Sequence, residues 1–340
     1  MSSNAGVEAM FYEKLDRDVV HCHLCCHHCK IVDGKRGICG VRENKGGTLY
    51  SLVYGKLVAN SVDPIEKKPL FHFLPGSSAY SIATVGCNFR CENCQNWEIS
   101  QLPKPQRSIQ GRNFTPAEVV EAAKRMGCRS IAYTYTEPVI FMEYAFDTAR
   151  LAVEDGIKNL FVTNGYITDI ALSKISPYLH AANIDLKSMK EEFYRKNCGA
   201  HLEPVLESIK LHKNLGIWIE ITTLIIPTLN DSEEDLTEIA EFIRSLGAET
   251  PWHVSRFYPA YKLIDLPPTP VETIRKAREI GLKTGLRYVY EGNIPGKGED
   301  TYCYNCGTLL IERLGYTVVM SKVEDSICPN CGAELDGIWR

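Results

Sequence analysis

No stretch of this 340-residue sequence approaches the ~20 consecutive apolar residues that a membrane-crossing helix needs. The opening MSSNAGVEAMFYEKLDRD has neither the basic start nor the apolar core of a secretory signal. A basic excess is missing too. Thirty-eight Lys and Arg stand against 42 Asp and Glu, a net charge of −4, so no global field favours nucleic acid or an anionic membrane. Internal repeats and low-complexity tracts are absent as well, which leaves an ordinary globular composition. Together these absences predict a cytoplasmic protein with no membrane partner, in a compartment where thiols stay reduced.

Cysteine, by contrast, is plentiful. Fourteen cysteines in such a compartment point to metal sites and not to disulfides. Twelve of them fall in three tight groups, and only Cys128 and Cys198 stand apart, where they read as buried small hydrophobes.

Between the first and last groups the chain alternates two periodicities. Residues 79–86, 130–138, 158–165, 181–187, 218–227, 251–259 and 287–293 read as buried strands rich in Ile, Val, Tyr and Thr. Helix starts lie between them. Thr115-Pro116-Ala117-Glu118 is a capping box with proline at the first helical position, and Thr269-Pro270-Val271-Glu272 repeats the pattern. Asn230-Asp231-Ser232 precedes an acidic first turn whose helix stops at Gly247. Repeated strand–helix alternation predicts an α/β fold with a parallel sheet, a full or partial (β/α) barrel over 78–298. Chemistry in such barrels sits at the C-terminal strand ends. The flanks form two further regions, a Cys/His-rich N-terminal region with a small antiparallel sheet over 1–77 and a cysteine-rich C-terminal region over 299–340. Residues 103–113, PKPQRSIQGRN, form the most loop-like interior stretch.

The loop after the first strand, CNFRCENC, places Cys87, Cys91 and Cys94 within eight residues. A structural zinc site takes four ligands. Three thiolates suit a [4Fe–4S] cluster with one iron left for a small chelating ligand, and the alternative is a zinc site with its fourth ligand from elsewhere. The C-x3-C-x2-C spacing on this loop resembles the radical S-adenosylmethionine (SAM) superfamily. That resemblance implies a cluster whose open iron binds the amine and carboxylate of SAM. It also implies reductive cleavage of SAM to a 5′-deoxyadenosyl radical that abstracts hydrogen, and an electron donor such as ferredoxin or flavodoxin. Asn93 stands where the family often has an aromatic residue against adenine, and Phe89 and Trp97 are the nearby aromatic candidates.

Further segments carry the same resemblance. TYTEP at 134–138 is similar to the family's G-G-E-P segment, with Tyr135 and Thr136 at the two glycine positions and Glu137 and Pro138 matching. The segments VTNG and NIDLK resemble strand ends of the pyruvate formate-lyase activating enzymes. The resemblance thereby assigns Thr136, Glu137, Thr163, Asn164, Asp185 and Lys187 to the SAM site.

The C-terminal pairs Cys303-x2-Cys306 and Cys328-x2-Cys331, each followed by glycine, form two thiolate knuckles of a zinc ribbon, with a rubredoxin-like iron as the alternative. The N-terminal HCHLCCHHCKIVDGKRGICGVR is similar to the C-x2-C-P-H-x-C-x9-C motif of the AmmeMemoRadiSam-system radical SAM proteins. The match selects Cys22, Cys25, Cys29 and Cys39 for zinc or for a second iron–sulfur cluster, with Cys26 at the proline position as an alternative ligand. The stretch DPIEKKPLFHFLPGS at 63–77 is specific to the same family; its Lys67 and Lys68 read as solvated, with a reach into the cluster site as the alternative.

The expected activity is SAM cleavage followed by hydrogen abstraction. Its substrate is a glycyl-radical enzyme, or a small molecule or protein linked to the AMMECR-type and Memo-type proteins; the acidic balance disfavours nucleic acid. The competing reading, a metal-binding interaction module, has no use for the set Glu137, Asp185 and Lys187.

Overall fold

Seven segments read as buried strands become seven parallel strands in a computed structural model that describes residues 6–106, 108–294 and 296–340. They are β1 (Ser78–Ala83), β2 (Ser130–Tyr133), β3 (Lys158–Thr163), β4 (Ala181–Asp185), β5 (Trp218–Ile225), β6 (Trp252–Arg256) and β7 (Val289–Gly292). Each pairs with the next in sequence order, and an eighth strand, Ala59–Pro64, runs antiparallel along β1. The ends of this sheet do not pair with each other, so the barrel is partial. The segment LVANSV therefore does not close a local N-terminal sheet. It becomes the edge of the main one, while Thr48–Ser51 pairs with Arg42–Lys45 and Val7–Glu8.

The outer layer holds α1 (Pro116–Arg125), α2 (Met142–Glu154), α3 (Asp169–Ile175), α4 (Glu203–Asn214), α5 (Glu233–Leu246) and α6 (Val271–Lys283). Thr115 closes its capping box with Glu118, and Ser232 accepts from Asp235 N at the start of α5. Thr269 does not cap α6. Its hydroxyl donates to the Ile225 carbonyl at 2.5 Å and accepts from Phe257 N at 3.0 Å, tying strand ends together. The expected loop at 103–113 contains a short helix, Pro103–Gln106, and the strand Arg112–Asn113; Arg107 lies outside the described residues, as do the first five positions of the N-terminal region.

Several inward strand positions are small or polar, and chain fills the space they leave. Ile65, Leu70, Phe73 and Leu74 pack on Ala79, Ala132, Leu160 and Ala181 as a second core. Asn183 donates to the Pro69 carbonyl at 2.9 Å, and the fully buried Glu220 carboxylate accepts from Phe71 N (3.0 Å), His72 N (2.8 Å) and His253 Nε2 (2.7 Å). The stretch after Asp63 is thus a plug threaded into the barrel. Buried Arg313 of the C-terminal hairpin ties that hairpin to the plug, donating to the Phe71 carbonyl at 2.9 Å and to Thr301 Oγ1 at 2.7 Å. Among the described residues no helix is long and apolar enough to cross a membrane.

Candidate functional site

The chain leaves β1 through Gly86 (φ +106), where an added Cβ would stand 2.6 Å from Val41 Cγ1. Only glycine fits this turn. The loop that follows is fastened from three directions. Gln101 Nε2 and Lys104 Nζ donate to the Phe89 carbonyl at 3.2 and 2.6 Å. Arg90 N and Glu92 N donate to the carbonyls of Cys198 and Asn197 at 2.9 and 3.1 Å. His27 Nε2 of the N-terminal region donates to the Asn88 carbonyl at 2.8 Å. The half-buried thiols of Cys87, Cys91 and Cys94 then line a cavity of about 570 Å³. Cys198 is buried as expected, but its S–H also hydrogen-bonds Cys91. That bond, reinforced by the Lys187 charge, draws the Cys91 thiol down to about 7 against the opposing effect of burial.

All six strand-end residues expected at the SAM site, Thr136, Glu137, Thr163, Asn164, Asp185 and Lys187, line this same cavity. The buried Glu137 carboxylate ties β2 to β3, accepting from Thr163 Oγ1 (2.7 Å), Asn164 N (2.9 Å) and Val139 N (3.1 Å). Burial pushes its carboxyl up to about 7 despite these donors. Asn164 Nδ2 donates to Asn88 Oδ1 at 2.8 Å, next to Cys87. Thr136 Oγ1 donates to the Thr84 carbonyl at 2.9 Å, and Lys187 Nζ lies 2.8 Å from Asp185 Oδ2. Phe89 lines the cavity, whereas Trp97 does not; it is half-exposed and stacks on Tyr261 at 5.2 Å.

Tyr135 stands at one of the expected glycine positions and adopts the left-handed backbone that glycine would supply, φ +61. Its hydroxyl donates to Asp63, and its carbonyl accepts from Asn96 Nδ2 at 2.8 Å. The reading of Lys68 as solvated is overturned. Lys68 is 1% exposed, lines the cavity, lies 2.6 Å from Asp63 Oδ2 and sits 4.6 Å over the Tyr135 ring. Burial lowers its ammonium to about 8 even with Asp63 alongside. Lys68 and Tyr135 line the cavity, and Asp63, which the sequence reading gave no role, holds both of them from outside it; the signal for Asp63 and Lys68 was the family-specific DPIEKK segment. A second cavity, of about 700 Å³, is lined by Arg90, Arg195, Lys196, His201, Glu191 and Glu192 and contains none of the expected site residues.

The two terminal cysteine groups lie apart from the main cavity. Cys303 and Cys331 are 3.7 Å apart at sulfur, as are Cys306 and Cys328, and all four sulfurs lie within 4.8 Å of one another. A tetrahedron of ~2.3 Å metal–sulfur bonds has edges of about 3.8 Å, so this set is preformed for one ion. Cys22, Cys25, Cys29 and Cys39 line a separate small pocket with Ile140 of the barrel. Cys26 does not line that pocket, and its thiol donates to the Ile167 carbonyl at 3.2 Å.

The model of the radical SAM superfamily matches residues 81–243. An uncharacterized protein of Methanocaldococcus jannaschii is 54% identical over 308 residues, 90% of this chain and 91% of that one. The pyruvate formate-lyase-activating enzyme of Clostridium pasteurianum is 23% identical over 167 residues, 47% of this chain and 67% of that one. A crystallised domain of the pyruvate-formate lyase-activating enzyme of Bacteroides vulgatus aligns with a TM-score of 0.43 at 20% identity, covering 48% of this chain and 99% of that one.

Proposed function

The chain belongs to the radical SAM superfamily, and from that premise we propose that Cys87, Cys91 and Cys94 hold its [4Fe–4S] cluster while the strand-end residues hold SAM. The donor set suits this reading. Three thiols converge on one cavity, and among the described residues no fourth cysteine lines it. When bound, the cluster and SAM supply a 5′-deoxyadenosyl radical that abstracts hydrogen from the substrate.

The chain's own groups bind and orient. Glu137 offers a buried carboxylate to a cationic ligand, fixed by Thr163 and the Asn164 backbone. The Asp185–Lys187 pair offers one acceptor and one donor, as a zwitterionic amino-acid moiety requires. The observation that carries the proposal is that three thiols and three polar strand ends share a single cavity.

A radical SAM enzyme needs an electron donor, and we assign that role to a ferredoxin or flavodoxin in a cytoplasmic setting. For the substrate, the 23% identity to an activating enzyme supports a glycyl-radical-enzyme activase. The N-terminal motif supports membership of the AmmeMemoRadiSam group, with AMMECR-type and Memo-type proteins as partners. We read the C-terminal four-cysteine set as a zinc site, and Cys22, Cys25, Cys29 and Cys39 as zinc ligands with a second cluster as the alternative. About four irons per chain fits the first N-terminal reading and about eight the second.

Anaerobically reconstituted protein given dithionite and SAM is expected to release 5′-deoxyadenosine, and Cys91→Ala to abolish both cluster and release. No release from protein with a verified cluster would leave the metal-binding module as the better account.

A further inference from the structure

The strand Val20–Cys22 has two faces, and strand alternation sends different chemistry to each. Cys22 is buried and lines the four-thiol pocket. His21 and His23 point the other way and stay partly exposed, their ring centroids 4.1 Å apart. Directly across the antiparallel pair from His21 stands Glu13, whose Oε1 lies 3.1 Å from His21 Nδ1 and 3.3 Å from His23 Nε2.

The chain then turns through Cys25 and returns His28 to the same face, 6.1 Å from the His21 ring and 5.8 Å from the His23 ring. His28 holds φ +45, a left-handed conformation that non-glycine residues seldom adopt. One ring nitrogen from each of the three histidines lies within 4.8 Å of the other two, a convergence matched among the described residues only by the four C-terminal cysteines. A neutral imidazole that donates to Glu13 from one nitrogen carries its lone pair on the other. Glu13 thereby holds the His21 and His23 rings in orientation.

We propose that His21, His23 and His28 form a thiolate-free site for a divalent transition ion such as Zn²⁺, back to back with the thiol pocket and oriented by Glu13. Three imidazoles suit zinc and leave a fourth position for water. The site fastens the strand Tyr12–Lys14 and the turn at His28 onto the strand that carries Cys22. This inference is independent of the SAM reading, because none of its residues lines the main cavity.

The test titrates full-length anaerobic protein, its thiolate sites already filled, with Co²⁺. The wild type is expected to take up one further equivalent, with ligand-field bands and no thiolate-to-cobalt charge transfer. His21→Ala removes that equivalent. So does His28→Asn, which keeps a residue tolerant of left-handed backbone and so preserves the turn. Glu13→Gln keeps the equivalent but weakens it by about 10–100-fold. Unchanged uptake in both histidine variants, or cobalt–thiolate bands in the wild type, would overturn the site.

Discussion

Thr163 donates its hydroxyl to Glu137 Oε1 across 2.7 Å, joining the end of β3 to the residues that follow β2. The bond places a neutral donor and a buried acid side by side at the mouth of a barrel that also presents three thiols. Because burial pushes that acid up to about 7, the affinity of the site for a cation is expected to vary with pH near neutrality.

A cationic ligand selects the carboxylate form of Glu137, whose carboxyl sits at about 7. SAM affinity is therefore expected to rise roughly tenfold from about pH 6 to about pH 8 and then level off. Glu137→Gln should bind more weakly with no such rise. Anaerobic calorimetry checks this, and a pH-independent wild type would contradict the role given to Glu137.

The same group shapes stability. Its folded value of about 7 exceeds its ordinary 4.5, so the stability it contributes is present in full below the lower value and is lost as pH rises through the upper one. Denaturant titrations should show that slope in the wild type and lose it in Glu137→Gln. Thr163→Val removes one of the donors to a buried carboxylate and should cost ~1–3 kcal/mol near neutral pH.

Arg42 and Glu143 form a buried ion pair that clasps the N-terminal region to α2, and Glu143 also accepts from Met10 N at 2.7 Å. Glu143→Ala strands the Arg42 charge beside Cys22 and should destabilise by about 3–5 kcal/mol. Replacing both members with apolar residues of similar volume should recover much of the loss, measured by chemical denaturation. Equal losses in the single and double variants would show that the charge pairing is not what matters there.

Cys331→Ala breaks the four-thiolate set and is expected to lower zinc by one ion per chain with iron and sulfide unchanged. Proteolysis should then reach residues 299–340 before the barrel, although Arg313, the Asp336 pair with Arg287 and the bonds of Ile338 to Leu74 N (2.6 Å) and the His72 carbonyl (2.7 Å) still tether them. Unchanged zinc would place that metal elsewhere.

Much of the scaffold was legible because local chemistry and global fold agree. All seven parallel strands fall on the segments read as buried strands, and the Thr115 box caps the helix it announces. The site residues that were legible carry their own signal, as three cysteines on one loop do. Illegible residues owe their roles to distant partners. Thr269 has the sequence of a cap, but the Ile225 carbonyl claims its hydroxyl. Lys68 looks solvated because lysine usually is, and its burial depends on Asp63 and on the ring of Tyr135. The segment after DPIEKK has no periodicity to announce a plug, since the Pro69 carbonyl and the backbone N–H groups of Phe71 and His72 bond to the inward side chains of Asn183 and Glu220.

The most direct test of the central claim is Mössbauer spectroscopy of ⁵⁷Fe-reconstituted, oxygen-free protein with and without SAM. Three thiolates predict three irons alike and one apart, with the distinct iron alone shifting when SAM is added. Absence of a cubane in the wild type, or a cubane that SAM leaves unchanged, would contradict the account.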